Sequence, residues 1–396
     1  MSSKVLKDNL CAGCGICESV FGTAKVAVSY NNEGFLRPTF KQELTKSENN
    51  FFEEICPGVN AKHEDSTNHD PLWGPFLSIS SGHANNEKVR HSGSSGGALT
   101  AVASYLLDKN RVECVLHIGP SETEPYLNTY KTSYTSQEVL NNAGSRYAPS
   151  ATLINLVEIL KAHTSIAIIG KPCDIVGVRN FMRKNEEAKT KIKHLLSFMC
   201  AGVPSQVATT KIIEQFKVQK KDIVSLRYRG EGWPGYFKIE DNKSNTHKMT
   251  YNESWGTVLN KHLQFRCKIC ADGTGEFADI TCADAWEASE NGYPSFEEKK
   301  GISLVITRNT NGKQLLEDVV KSGYITMSGK NFSSSDIAQM QPYQKQRKQN
   351  LLARLLALKL VGRSTPNYNI NALIKASLKE NPLRLIKNFL GMLKRI

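Results

Sequence analysis

The pattern of apolar and polar positions changes twice along the chain, and the changes mark its parts. Up to about residue 80 the apolar runs are short: Val26, Val28 and Tyr30 alternate with smaller or polar neighbours ahead of the turn Asn31-Asn32-Glu33-Gly34. That spacing predicts a small hairpin over 24–40. From residue 90 the runs lengthen and alternate in kind. Residues 98–107 are apolar over a helix length, 114–118 read as a buried strand, 136–142 as a short capped helix and 151–163 as another helix. Continuous apolar strands follow at 165–169 and 195–199, then strands at 223–228, 236–240 and 248–251 around the turn 229–235. A strand at 302–307 and a helix over 312–323 close this part. Strands alternating with helices predict an α/β body. Beyond Asp336 leucine stripes take over, broken by Pro366 and Pro382 into short helices.

Composition narrows the class. With 396 residues, 40% hydrophobic and 22% charged, the chain reads as a soluble globular protein of two or three domains. No stretch reaches the roughly 18 apolar residues of a membrane span, and residues 1–8 lack the apolar centre of a signal peptide. Ten cysteines without such a leader fit a reducing cytoplasm, where close pairs bind metal or undergo redox chemistry. The formal net charge of +13 invites a nucleic-acid reading, but from Gln341 onward twelve basic residues face a single acid, Glu380. The rest is nearly balanced, which argues against a protein-wide phosphate-binding face and against nucleic acid as a partner. In the tail Ile386, Phe389, Leu390 and Leu393 follow one helical face, with Arg384, Lys387, Lys394 and Arg395 outside it. Such a helix either lies on an anionic membrane surface or packs as core on the body or a partner. The first alternative makes the protein peripheral at the inner face of a membrane.

Candidate chemistry lies in the cysteines. Cys11, Cys14 and Cys17 are spaced C-x2-C-x2-C, the start of the bacterial ferredoxin run, whose fourth cysteine precedes proline. Phe21 stands where a near fourth ligand would be, and Cys56-Pro57-Gly58 supplies the missing Cys-Pro after an insertion. Cys11, Cys14, Cys17 and Cys56 are therefore expected to hold a 4Fe–4S cluster. A zinc knuckle more often shows two separated pairs or histidines. Cys267 and Cys270 form a second pair that needs two more ligands. Cys173 and Cys200 follow the strands at 165–169 and 195–199, and strands ending in cysteine point both thiols toward one rim of a parallel sheet. Cys173, Cys200, Cys267 and Cys270 are thus a second expected cluster, with zinc as the alternative occupant. A catalytic thiol at Cys173 beside a helix N-terminus is a third reading. Cys114 is expected as a small buried residue, Cys282 as either such a residue or an extra thiol near the redox centre, and His63 and His69 as solvated members of a polar connection over 60–70.

Two loops could meet a cofactor. Ser94, Ser95, Gly96 and Gly97 lead straight into the helix at 98, an arrangement that serves either a phosphate or an ordinary N-cap. It matches neither the Walker nor the Rossmann spacing. Arg146, in the loop 144–150, either clamps a phosphate or makes a surface ion pair.

With these residues laid out, residues 5–330 resemble the beta-subunit family of coenzyme F-420 hydrogenases and dehydrogenases. The resemblance rests on the cysteine run with Cys56-Pro57, on Ser94-Ser-Gly-Gly97, Ser145-Arg-Tyr-Ala-Pro-Ser150 and Gly170-Lys-Pro-Cys173. It extends through Phe198-Met-Cys-Ala-Gly-Val-Pro-Ser205, Arg227-Tyr-Arg-Gly-Glu-Gly-Trp-Pro-Gly235 and the stretch from Arg266 to Ile280. It implies an iron–sulfur flavoprotein with two 4Fe–4S clusters and non-covalent FAD near Ser94, Ser95, Gly96, Gly97, Arg146, Tyr147 and Ser150. The plant hydroxymethyl-chlorophyll reductase is similar, and some bacterial relatives are associated with exopolysaccharide synthesis. Two positions depart from the family pattern: Arg146 stands where lysine is common, and Cys282 where glycine is usual.

A cluster moves one electron and a nicotinamide or deazaflavin moves a hydride; a flavin handles both. The leading expectation is an FAD- and iron–sulfur-dependent oxidoreductase acting on a small or sugar-linked metabolite, in polysaccharide biosynthesis, with ferredoxin, a deazaflavin or a nicotinamide as electron partner. The alternatives are an electron-transfer subunit of a larger hydrogenase or dehydrogenase, and a non-catalytic scaffold of polysaccharide assembly. The expected fold is mixed α/β (α+β): a ferredoxin-like cluster domain over 1–80, a flavin-binding body over 81–164 and 165–336, the latter carrying the second cluster, and a basic helical tail over 337–396.

Overall fold

A computed structural model describes residues 2–64, 69–286 and 297–396. Strands β1 (Val26–Tyr30) and β2 (Leu36–Phe40) form the expected antiparallel hairpin, its turn pinned by Asn31 Oδ1, which accepts from the Phe35 amide. The next strands are β3 (Ser78–Ala84), β4 (Cys114–Pro120), β5 (Asn128–Ser133), β6 (Ile166–Gly170) and β7 (Ile192–Phe198). After them come β8 (Ile223–Arg227), β9 (Tyr236–Asp241), β10 (Thr246–Thr250), β11 (Ile280–Asp284), β12 (Ser303–Thr307) and β13 (Ile325–Asn331). Eight strands make one sheet in the order β13-β3-β12-β11-β7-β6-β4-β5, and β10-β9-β8 make a small antiparallel one.

The centre of the large sheet, β4, β6, β7 and β11, is parallel, while β5 on one side and β12, β3 and β13 on the other run antiparallel. Period-two alternation divides the parallel strands between two cores. Val115, Ala167, Leu196 and Ile280 face the helix Ala98–Asp108. Cys114, Leu116, Ile166, Ile168 and Leu195 face the helix Pro172–Met182, with Ile175, Val178 and Phe181. Cys114 is the small buried residue its strand predicted. Burial on both faces is what a parallel sheet needs, and it explains the unbroken apolar runs of β6 and β7.

Two local departures place the site. The helix expected over 151–163 begins only at Leu156 and runs Leu156–Ala162. Residues 152–155 turn instead, because the Leu153 amide donates to the Cys14 carbonyl at 2.9 Å and Gly15 packs on the Ile154 backbone. His63 is not solvated: its ring stacks on Phe277 at 3.8 Å, and its Nε2 lies 3.4 Å from a Glu276 oxygen. Residues 65–68 of that connection lie outside the described residues.

The tail folds back on the body. Leu351, Leu355 and Leu358 of the helix Leu351–Leu360 are buried with Val5, Leu10, Val26 and Phe52, so the first leucine stripe is core. The second stripe is split. In the helix Pro382–Leu393, Phe389 and Leu393 pack on that same core, whereas Leu383, Ile386 and Leu390 are 75%, 56% and 51% exposed. Among the described residues no helix is long and apolar enough to cross a membrane.

Candidate redox site

Cys11, Cys14, Cys17 and Cys56 are all buried and converge on one small apolar cavity, roofed by Val28, Pro38 and Phe40 of the hairpin and by Phe52. Glycines make the convergence possible. Gly13 (φ +71°) and Gly15 (φ +87°) hold left-handed backbone, and a Cβ on Gly15 would stand 2.9 Å from the Ile154 backbone. The Gly13 amide donates to Cys11 Sγ at 3.4 Å. Cys56 ends the helix Lys46–Ile55, which starts from a Thr45–Glu48 capping box. Burial, with the Asp174 carboxylate next, pushes the Cys14 thiol well above the ordinary range. Burial and Cys11 push Cys56 to about 12.

The second set assembles at the rim of the sheet, as the strand ends predicted. β6 and β7 are parallel neighbours, with Gly170 opposite Ser197, and Cys173 and Cys200 lie just beyond them. Cys267, in the short helix Phe265–Lys268, accepts through Sγ from the Val203 amide at 3.3 Å and from Gln264 Nε2 at 3.4 Å. After Cys270, Asp272 Oδ1 accepts from the amides of Thr274, Gly275 and Glu276, fixing the turn that follows. Burial, then Asp174, raises Cys173 well above its usual range, and burial with Cys267 carries Cys200 to about 12.

Three buried cations accompany the eight sulfurs. Lys171 Nζ donates to Asp174 at 2.8 Å and to Ser150 Oγ at 2.7 Å; burial works against its charge, and Asp174 together with Cys173 and Cys14 outweighs it. Arg347 donates to the Cys200 carbonyl at 2.8 Å and the Cys267 carbonyl at 3.0 Å. Arg266 donates to the Pro57 carbonyl at 3.1 Å. Arg266 Nε and Nη1 and Arg347 Nε are buried without a protein partner. Thiols this buried stay protonated unless a metal opposes their charge. Among the described residues no three His, Cys, Asp or Glu side chains are grouped to hold a single metal ion. Residue type, the sequence spacing of the cysteines and the unspent N–H donors suit a 4Fe–4S cluster in each set.

Outside the carboxyl ends of the parallel strands, where α/β sheets bind ligands, lies a cavity of about 730 Å³. Gly170, Lys171 and Cys200 line it, so it shares a wall with the second cysteine set. Ser94, Ser95, Gly97, Arg146, Tyr147 and Ser150, from the two loops singled out in the sequence, also line it. Gly96 does not: its backbone is pressed on the sheet, and a Cβ there would stand 2.6 Å from the Ser303 amide nitrogen. Arg146 lines the cavity, but its guanidinium is spent elsewhere. It donates to Asn128 Oδ1, to the Leu226 carbonyl at 2.9 Å and to the Pro125 carbonyl at 2.7 Å, holding a loop rather than offering a phosphate clamp. Cys282 is buried as expected, but beside this cavity, where burial pushes its thiol to about 12.

The sequence reading missed the cavity's far wall. Arg229 pairs with both Asp284 oxygens, at 2.8 and 2.7 Å, and lies over the rings of Tyr251 and Trp286 at 4.9 and 5.1 Å. Burial works against that charge, and Asp284 together with Tyr147 and Tyr251 outweighs it. Trp233 stacks on Trp286 at 4.8 Å and donates its indole N–H to Asp284 at 2.7 Å. Tyr147 packs on Trp255 at 4.9 Å. A buried arginine between aromatics leaves no local pattern; the motif 227–235 was visible without its partner. The tail's part was missed too. Gln341 Nε2 donates to the Asp284 carbonyl at 2.9 Å and Gln344 Nε2 to the Cys200 carbonyl at 3.1 Å, closing both the cavity and the second set.

Comparison with known proteins agrees with this architecture. Residues 79–158 match the N-terminal domain, and residues 163–331 the C-terminal domain, of the coenzyme F420 hydrogenase/dehydrogenase beta subunit. The F420-dependent formate dehydrogenase subunit beta of Methanocaldococcus jannaschii is 30% identical over 235 residues, which cover 58% of this chain and 56% of that protein. This chain therefore spans little more than half of that relative. The coenzyme F420 hydrogenase subunit beta of Methanothermobacter thermautotrophicus is 23% identical over 301 residues, 74% of this chain and 99% of that one. A chain of the F420-reducing [NiFe] hydrogenase complex of Methanosarcina barkeri shares the fold, with a TM-score of 0.59 at 17% identity over 77% of this chain and 100% of that one. With the two family domains matched in order over most of the body, the chain belongs to the coenzyme F420 hydrogenase/dehydrogenase beta-subunit family.

Proposed function

We propose that this chain is an electron-transfer subunit that carries two 4Fe–4S clusters and FAD and exchanges hydride equivalents with a deazaflavin-class carrier. The observation that carries the reading is the shared wall: Lys171 and Cys200 belong both to the surroundings of the second cysteine set and to the 730 Å³ cavity. The first set adjoins the second through Asp174, whose charge reaches both Cys14 and Cys173. Electrons entering at the cavity thus have a buried route past both sets. When bound, FAD supplies the conversion between hydride pairs and single electrons. The chain's own residues bind and orient it. The start of the helix Ala98–Asp108, where Gly97, Ala98, Leu99 and Thr100 line the cavity, suits its phosphates, and the aromatic wall fixed by Asp284 and Arg229 suits a planar ring.

The named beta-subunit relatives favour this reading over a free-standing reductase of a sugar-linked metabolite, and make a larger oxidoreductase complex the expected setting. Anaerobic purification tests it. About eight iron atoms and one extractable FAD per chain are expected, with the flavin band bleached by reduced coenzyme F420. Stoichiometric zinc, absence of flavin, or bleaching by a nicotinamide alone overturns it; bleaching by reduced ferredoxin alone keeps the subunit role and replaces the partner.

A further inference from the structure

Arg266 stands where the two cysteine sets meet. It precedes Cys267 in the chain, and its Nη2 donates at 3.1 Å to the carbonyl of Pro57, the neighbour of Cys56. One residue therefore ties the backbone of one set to that of the other. Arg266 is 3% exposed, and neither Nε nor Nη1 has a protein partner. Leaving buried N–H groups unpaired is costly, and more so on a charged group. Tyr368 lies 5.6 Å from the guanidinium, ring centroid to Cζ, and is itself pinned through its hydroxyl to the Ile269 carbonyl at 2.8 Å. The charge of Arg266 reaches Cys11 and Cys56 of the first set and Cys173, Cys267 and Cys270 of the second. Arg347, by contrast, reaches the second set: Cys270, Cys267 and Cys200.

We propose that Arg266 is a positioning residue shared by both clusters, its unspent N–H bonds serving cluster sulfur and its fixed positive charge raising both reduction potentials together. The inference rests on the two-cluster reading. When one cluster is oxidised by one electron the other is reduced by one, so the charge around Arg266 is unchanged in sum. No proton moves, because the guanidinium stays protonated throughout. A cation beside both clusters therefore raises both potentials without setting one against the other, and favours electrons moving inward from the cavity.

The test is redox titration of the full chain, loaded anaerobically and followed by electron paramagnetic resonance, with iron and sulfide content measured first. Arg266→Gln is expected to lower both midpoint potentials. At fixed ambient potential each cluster's reduced-to-oxidised ratio falls about tenfold, a shift of ~59 mV for a one-electron couple. Arg266→Lys is expected to stay near the parent, and Arg347→Gln to move one signal only. A fully loaded Arg266→Gln protein in which neither potential moves, or only one, overturns the proposal. If that variant loses iron, Arg266→Lys decides: full iron at parental potentials supports the role of charge, and loss of iron there too overturns it in favour of shape. A parent protein without two clusters would instead bring down the underlying reading.

Discussion

Replacing Lys348 by methionine isolates one of the contacts by which the tail is held. Lys348 Nζ pairs with Glu276 Oε1, and the two side chains are 9% and 8% exposed. Burial alone would raise the Glu276 carboxyl; Lys348 outweighs it, with help from His63, and holds it down at about 2. Methionine removes the paired cation and leaves a buried carboxylate with His63 and the more distant Arg308 charge. Breaking a buried pair from one side costs about 3–5 kcal/mol. For a chain of this length that corresponds to a fall in thermal midpoint of about 4–6 °C. The two proteins should also differ in the sign of their pH dependence. In the parent the folded carboxyl titrates below its unfolded value, so its contribution is present above roughly pH 4.5 and is lost as pH falls toward 2. In Lys348→Met burial dominates and the folded carboxyl titrates above its unfolded value. Protonating it then relieves the folded state, and the variant gains on the parent as pH falls from 7 to 5. Thermal melts of anaerobic protein followed by circular dichroism across that range measure both effects. A variant as stable as the parent at pH 7, or one whose deficit does not narrow on acidification, refutes the reasoning.

Gly15→Ala forces a left-handed backbone on a residue with a Cβ, at about 1–2 kcal/mol, and drives that Cβ into the Ile154 backbone; loss of iron from the first set alone is expected, read by metal analysis and electron paramagnetic resonance. Cys114→Ser and Cys282→Ser should leave iron content unchanged, since neither belongs to a set, and a fall in iron would show that the ligand assignment is wrong. For the tail, we expect the exposed row Leu383, Ile386 and Leu390, beside Lys387 and Lys394, to float the protein with anionic vesicles at low salt. Leu383→Glu with Ile386→Glu should abolish flotation; a parent protein that stays with the neutral-vesicle baseline removes the membrane contact.

The sequence made some of this legible for reasons that are themselves physical. The hairpin over 24–40, the apolar strands at 165–169 and 195–199 and the cysteines at their ends are signals carried by adjacent residues, and the structure keeps them together. β3, β5, β11 and β13 were not anticipated. β3, β5 and β13 lie among the antiparallel strands flanking the parallel centre, and β5 is only partly buried except at Ser133, so its alternation is weak; β11, within the parallel centre, has polar or small residues at Thr281, Cys282 and Ala283 that break the apolar run. Arg146 looked like a phosphate clamp because a loop arginine near small residues often is one; its carbonyl partners come from segments 125–128 and 226, which no local pattern links to it. Arg266 and Arg347 were invisible for the same reason. A buried arginine announces itself only through what surrounds it, and here that is backbone from several distant stretches. The tail was misjudged in degree: its first stripe is core, and its glutamines reach the cavity.

The ties between distant stretches have a consequence for how the protein is made. The Ser364 amide donates to Asp8, and the chain between them is 356 residues long. At ribosomal rates of roughly 5–20 residues per second, the cysteines near the amino end wait about 20–70 s before the segment that packs beside them is synthesised. Arg266 must also arrive before the Pro57 carbonyl finds its donor. Throughout that interval the thiols near residue 11 have their local hairpin and helix but lack the tail that packs beside them, and are less sheltered from oxidants and stray metals. Iron delivered during translation would meet a half-built receptacle; iron delivered after release would meet two sites that close together. Expression hosts with ample thiol-reducing capacity and late-acting cluster carriers should therefore raise the yield of loaded protein more than faster synthesis does.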